Sequence, residues 1–146
     1  MIDRYVYVPS SILTGLSFPL DPSNSIIASR EDEALAIAAG IHIGGGQPLV
    51  MMQNSGFANS LNTLGSLLMA YSLRVPIVVT LRGGVSDENP AQMPFGRATK
   101  QICASLGVPT RHCDDPTKIV GLAHSVTDDR TWATGPLVVL YGARDA

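Results

Sequence analysis

Three acids stand in a row at Glu31, Asp32 and Glu33. They follow a short apolar run, Ser25-Ile26-Ile27-Ala28, and open a longer one, Ala34-Leu35-Ala36-Ile37-Ala38-Ala39-Gly40-Ile41. A carboxyl group at such a place can hold and pass a proton if its surroundings favour the neutral form. It can equally be a helix-start acid answering the macrodipole. Two further apolar runs end in chemically able residues. Pro48-Leu49-Val50-Met51-Met52 ends in Gln53-Asn54-Ser55-Gly56, and Pro76-Ile77-Val78-Val79-Thr80-Leu81 ends in Arg82-Gly83-Gly84. Gln53, Asn54 and Ser55 offer amide and backbone groups to a ligand, or simply make a turn. Arg82 and Gln92 suit an oxyanion, which a guanidinium can hold by two parallel hydrogen bonds. Arg97 shares that ambiguity between an anion site and a surface ion pair.

The elements that must position these residues alternate. Tyr5-Val6-Tyr7-Val8 reads as a strand stopped by Pro9, after which Ser10-Ser11 caps a short helix through Leu16. Asp21-Pro22-Ser23-Asn24 is a turn, and Ser25 to Ala28 a second strand. Ser29 is placed as the N-cap of the next helix, with Asp32 completing a capping-box-like pattern. That helix runs to about Ile43 and stops at Gly44-Gly45-Gly46. These glycines are not a phosphate loop, because they follow a helix and no Gly-Lys-Ser/Thr comes after them. The strand from Pro48 to Met52 is continuously apolar, which suits a parallel strand covered on both faces. A helix from about Phe57 to Tyr71 follows, with Asn59, Asn62 and Ser66 on a polar face. The strand from Pro76 to Leu81 leads to a long loop through Phe95. Then come a helix over Gly96 to Leu106, a weak strand over Pro109 to Cys113, a helix from Pro116 to about Val126 and a closing strand from Gly135 to Tyr141. Repeated β-then-α units predict an α/β fold with an open, mostly parallel sheet and helices on both faces. In such sheets ligands bind beyond the carboxyl ends of the strands. Glu31, Gln53 to Gly56 and Arg82 all belong to that edge.

Composition narrows the classes. The chain has 146 residues, 45% hydrophobic and 15% charged, which fits one domain with a sizeable core. Mean hydropathy is +0.20, an apolar excess that either a larger core or a buried subunit interface would absorb. A net charge of −2 leaves no electrostatic footprint for nucleic acid. No apolar run reaches the ~18 residues of a membrane span. The first residues, Met1-Ile2-Asp3-Arg4-Tyr5, are no signal peptide, so a cytoplasmic location is expected. Cys103 and Cys113 lack CxxC spacing and read as reduced packing residues. His42, His112 and His124 show no ligand spacing, so no metal site is expected on this chain.

At these residues the sequence resembles the thiamine diphosphate enzymes. Glu31, followed across an Ala-rich helix by Gly40, is similar to the glutamate element of their pyrimidine-binding domain. Met52-Gln53-Asn54-Ser55-Gly56-Phe57-Ala58-Asn59-Ser60-Leu61-Asn62, Arg82-Gly83 and Pro90-Ala91-Gln92-Met93-Pro94-Phe95-Gly96-Arg97-Ala98-Thr99 resemble the α, or pyrimidine-half, subunits of sulfopyruvate decarboxylases, with phosphonopyruvate decarboxylases close by. The resemblance covers roughly Tyr5 to Tyr141. It implies that residues 1–146 are a single pyrimidine-binding domain and that Glu31 is catalytic. Its carboxyl would hydrogen-bond the pyrimidine ring nitrogen and favour the imino form of the exocyclic amine, which takes the proton from the thiazolium carbon. Desolvation at a subunit interface would keep that carboxyl protonated against the helix dipole. Gln53, Asn54, Ser55 and Gly56 would lie against the cofactor, Arg82 and Gln92 against the substrate, and Asn59 and Asn62 along the interface. Gly-Asp-Gly with a later Asn-Asn, the family's Mg²⁺ and diphosphate element, is absent from the sequence. The implied partner is therefore a β subunit that carries Mg²⁺ and the diphosphate, in an α₂β₂ or larger heteromer. The implied activity is decarboxylation of a small anionic 2-keto acid such as 3-sulfopyruvate or 3-phosphonopyruvate. Thiamine diphosphate-dependent carboligation, forming a ketol from two carbonyl compounds in specialised biosynthesis, is the alternative, and a non-catalytic partner subunit a third. Two departures bear on this: Ala58 stands where these decarboxylases carry Gly, and the chain begins at its first strand. The latter reads as an unusual assembly or a shortened N-terminus.

Overall fold

Six strands, five of them carrying apolar runs and the fifth, at the sheet's edge, the polar Thr110–Cys113, lie parallel in one sheet ordered β2-β1-β3-β4-β6-β5. The computed structural model describes residues 2–129, 131–132 and 134–142. The strands are β1 (Arg4–Tyr7), β2 (Ser25–Ile27), β3 (Pro48–Gln53), β4 (Pro76–Thr80), β5 (Thr110–Cys113) and β6 (Leu137–Tyr141). The helices are α1 (Glu31–Ile43), α2 (Asn54–Asn59), α3 (Leu61–Thr63), α4 (Met93–Leu106) and α5 (Ile119–Asp128), with a π-helical turn over Leu64–Met69. The expected α/β fold is observed. Pro48 and Pro76 each take the first position of a strand, where the missing N–H costs the ladder least.

The two faces of the sheet hold two cores. Val50 and Met52 of β3 join Val6, Ile77 and Val79 beneath α1, the α2-to-Met69 segment and α4. Leu49 and Met51 turn to the other face, where α5 and Leu13, Phe18 and Trp132 cover them. Side chains alternate along each strand, so a strand covered on both faces must be apolar at every position. That is the pattern of β3 and β4. Arg74, just before β4, donates to the carbonyls of Thr127 and Asp129 at 3.0 and 2.8 Å and lies 4.7 Å from the Trp132 ring. This fixes the end of α5 to the amino edge of the sheet. Among the described residues, no helix is long and apolar enough to cross a membrane.

Several boundaries differ from the sequence expectation for local reasons. Arg30, not Ser29, is the N-cap residue of α1, and no side chain caps it. Ser29 is one residue too early. The reciprocal half of the motif also shifts: Glu33, not Asp32, reaches back and accepts from the Ser29 N–H at 2.8 Å. The helix expected from Phe57 starts at Asn54, so Asn54-Ser55-Gly56 is its first turn rather than a separate loop. Ser60 then interrupts it, its hydroxyl donating to the Phe57 carbonyl at 2.9 Å. Helix α4 starts at Met93, and Pro90–Gln92 form a 3-10 turn before it, so the long loop is shorter than expected. The short turn expected after Ser10-Ser11 is a 3-10 turn over Leu13–Gly15 whose N-cap residue is Ile12, not a serine; Ser10 Oγ accepts from the Leu13 N–H at 3.3 Å.

Candidate active site

Because all six strands are parallel, their carboxyl ends share one edge. The chain steps from β1 outward to β2, then returns across β1 to β3. It steps likewise from β4 out to β5 and back to β6. Each reversal opens a crevice at the carboxyl edge, the usual place for a ligand in such sheets. Glu31 enters the edge from β2, Gln53 to Gly56 from β3 and Arg82 from β4.

The three acids of α1 have different surroundings. Asp32 pairs with Arg30, Oδ1 to Nε at 3.0 Å, and accepts from the Glu33 N–H. The Arg30 guanidinium, first among these partners, holds the Asp32 carboxyl below the usual carboxylate range. Glu33 accepts from Ser29. Glu31 is half-buried and, among the described residues, its carboxyl accepts no protein hydrogen bond. It lies instead on Gly56, where an added Cβ would come closer than 3.0 Å to Glu31 Oε1, Cδ and Cγ. Local geometry thus separates one acid from its neighbours.

The segment after β3 divides its tasks. Asn54 is fully buried. Its Nδ2 donates to the Arg82 carbonyl at 3.0 Å and to Thr99 Oγ1 at 3.4 Å, while its Oδ1 accepts from the Arg82 N–H at 3.2 Å. The Asn54 side chain is therefore occupied in joining β3, β4 and α4. Gln53 is half-buried, and its Nε2 donates to Ser55 Oγ at 2.7 Å and Gln92 Oε1 at 3.1 Å. Gln53, Ser55 and Gln92 are thereby brought together, two of them across the sheet edge.

Arg82 has a partner within the chain. Its Nε and Nη2 donate to the two oxygens of Asp87 at 2.6 and 3.0 Å. Asp87 also accepts from the backbone N–H groups of Gly83 at 2.9 Å and Asn89 at 3.1 Å. The guanidinium foremost, then the two N–H groups, hold the Asp87 carboxyl far below the usual range. A cleft of about 570 Å³ lies here, lined by Ile12, Leu81 to Gly84, Ser86 to Asn89 and Gly142. Ile12 arrives from the exit of β1, which lies between β2 and β3. Sequence reasoning counted the exits of three strands and passed over this fourth; Pro9 and the serines after it were the available signal. Arg97 is exposed on α4. Asn59 and Asn62 are exposed as well. Cys103 is buried, which pushes its thiol up to about 11 and leaves it inert at neutral pH.

A scan against protein-family models finds no match. Among curated proteins, the sulfopyruvate decarboxylase α subunit of Methanothermobacter thermautotrophicus is 35% identical over 130 residues, covering 87% of this chain and 79% of that protein. The chain belongs to the sulfopyruvate decarboxylase α-subunit family. The Methanocaldococcus jannaschii α subunit is 29% identical over 145 residues, 97% of this chain and 86% of that one. Phosphonopyruvate decarboxylase of Streptomyces viridochromogenes is 39% identical over 100 residues, 65% of this chain but 25% of that protein. Membership of the sulfopyruvate decarboxylase family makes this chain a decarboxylase subunit. Solved structures share the fold: benzoylformate decarboxylase from Polynucleobacter necessarius has a TM-score of 0.66 at 19% identity, over 97% of this chain and 27% of that one. A Mycobacterium smegmatis chain assigned to the thiamin diphosphate-dependent enzymes has 0.66 at 18%, over 96% and 28%.

Proposed function

We propose that this chain is the pyrimidine-half subunit of a two-chain, thiamine diphosphate-dependent decarboxylase. Its substrate would be a small anionic 2-keto acid, 3-sulfopyruvate or 3-phosphonopyruvate. The observation that carries the reading is Glu31: of three adjacent acids, it alone has a carboxyl unengaged by donors among the described residues, seated on a glycine at the sheet's carboxyl edge. The unengaged Glu31 carboxyl, seated on Gly56, fits the aminopyrimidine end of the cofactor. When bound, the cofactor supplies an acidic carbon that adds to the keto group and takes up the electrons left as CO₂ departs.

What the chain itself contributes follows from its side chains. Glu31 holds a proton toward the pyrimidine ring nitrogen and passes it along that hydrogen bond. Gln53, Ser55 and Gly56 form the wall beside it, and Asn54 fixes that wall to β4 and α4. Asp87 occupies Nε and Nη2 of Arg82, so a sulfonate or phosphonate would meet the N–H groups left on Nη1 and Nη2 or take the place of Asp87. Gln92, already bonded to Gln53, stands at the end of α4 nearest this pair. Mg²⁺ and the diphosphate fall to a β-type partner carrying the Gly-Asp-Gly…Asn-Asn element, in an α₂β₂ or larger heteromer. The names of the relatives as α subunits support a partner of this kind.

The test is co-expression with the neighbouring reading frame that carries that element. CO₂ release is then followed from 3-sulfopyruvate and 3-phosphonopyruvate, with products assayed for aldehyde and ketol. The aldehyde is expected; a dominant ketol overturns the decarboxylase assignment. Glu31→Gln is expected to lower turnover at least ~100-fold, the low end for a lost acid–base group, with the heteromer intact on gel filtration. A fully active variant would remove Glu31 from the chemistry.

A further inference from the structure

Glu31 leaves α1 at its first residue, and Gly56 lies inside α2, on the neighbouring helix of the same sheet face. Gly56 is buried, and the space a side chain would occupy is filled by three consecutive atoms of Glu31: Cγ, Cδ and Oε1. A glycine inside a helix is otherwise disfavoured relative to alanine. Gly56 has helical backbone dihedrals rather than the positive φ that would demand glycine. Its lack of a side chain is therefore accounted for by the Glu31 contact and by nothing in its own conformation.

We infer that Gly56 is a positioning residue: it is the floor that sets the height and direction of the Glu31 carboxyl. Among the described residues no hydrogen bond aims the Glu31 carboxyl, so packing must do so. Any side chain at 56 displaces the carboxyl bodily, because the overlap reaches back to Cγ and a turn of the carboxyl alone cannot relieve it. The contact itself stands on geometry, while its catalytic consequence rests on the role proposed for Glu31.

The two parts are tested separately. Gly56→Ala, Glu31→Ala and the double variant of the full chain are unfolded in guanidinium without cofactor. Gly56→Ala is expected to lower the folding equilibrium constant at least about tenfold when Glu31 is present. In the Glu31→Ala background it is expected to be neutral or to raise the constant, since alanine favours the helix once the overlap is gone. Equal losses in both backgrounds overturn the inference. If Gly56→Ala alone fails to fold, recovery of folding in the double variant supports it and failure of both overturns it. In the assembled enzyme, Gly56→Ala is expected to lower kcat about 100-fold, as misplacement by about an ångström can, with the KM for the keto acid unchanged. Wild-type kcat with Glu31→Gln inactive overturns the positioning role while sparing the proposed function. Full activity of Glu31→Gln overturns the proposed role of Glu31 and leaves the coupling measurement standing.

Discussion

At the scale of single residues, the site is a division of labour between groups that are engaged and groups that are free. Asn54 is the most engaged. Replacing it with alanine leaves the Arg82 N–H and carbonyl without their partner in a partly buried place. An unsatisfied buried group costs about 1–3 kcal/mol, so Asn54→Ala is expected to destabilise the chain by about 2–3 kcal/mol in chemical denaturation. Ser55→Ala, at a half-buried hydroxyl with one amide donor, should cost under about 1 kcal/mol. Residue types in the sequence announced that Asn54 and Arg82 mattered. They did not announce that the two residues bind each other, because the contact joins positions on different strands. The same distance along the chain hid the seat of Glu31 on Gly56.

At the scale of elements, the connection from β4 to α4 is held at two points. One is Asp87, which gathers the Arg82 guanidinium and two backbone N–H groups. A carboxyl held below its unfolded value stabilises the fold above that value and loses the contribution as pH falls toward the folded value. The advantage of wild type over Asp87→Asn in thermal unfolding should therefore be full at neutral pH and shrink below about pH 4, the unfolded value. An advantage independent of pH would contradict this account. The other point is backbone against backbone. A Cβ at Gly83 would come closer than 3.0 Å to the Gln92 carbonyl, and one at Gly96 closer than 3.0 Å to the Gly83 carbonyl. Gly83 also has φ +85°. Strain and overlap together make Gly83→Ala an expected loss of about 3 kcal/mol, measured by denaturation. Strands β3, β4 and β6 and helix α1 were legible because continuous apolar runs leave few other readings. The start of α2 was not, since Asn-Ser-Gly has the composition of a turn and only Asn54's bonds across the sheet make it a helix. The β4–α4 connection read as a loop with a free arginine, because nothing in the spacing marks Asp87 as its partner.

At the scale of the whole molecule, the sheet order decides what meets at the edge. The exits of β2, β1, β3 and β4 are consecutive in space though not in sequence. The alternation of strands and helices was enough to expect a parallel sheet and a site at its carboxyl edge. The position of β1 between β2 and β3, which brings the residues after Pro9 among the others, needed the topology itself. If the site is half of one shared with a partner, the chain alone should bind thiamine diphosphate weakly in calorimetry and the heteromer tightly. Tight binding by this chain alone would contradict the shared site. The same order has a consequence for folding. Among the described residues β5 pairs with β6 alone, and β6, which follows β5 in the chain, fills the gap between β5 and β4. Until Leu137–Tyr141 docks, β5 has no partner strand among the described residues and that flank of β4 stays bare. Docking of β6 therefore joins β5 to the rest of the sheet and brings Gly142 to the cleft.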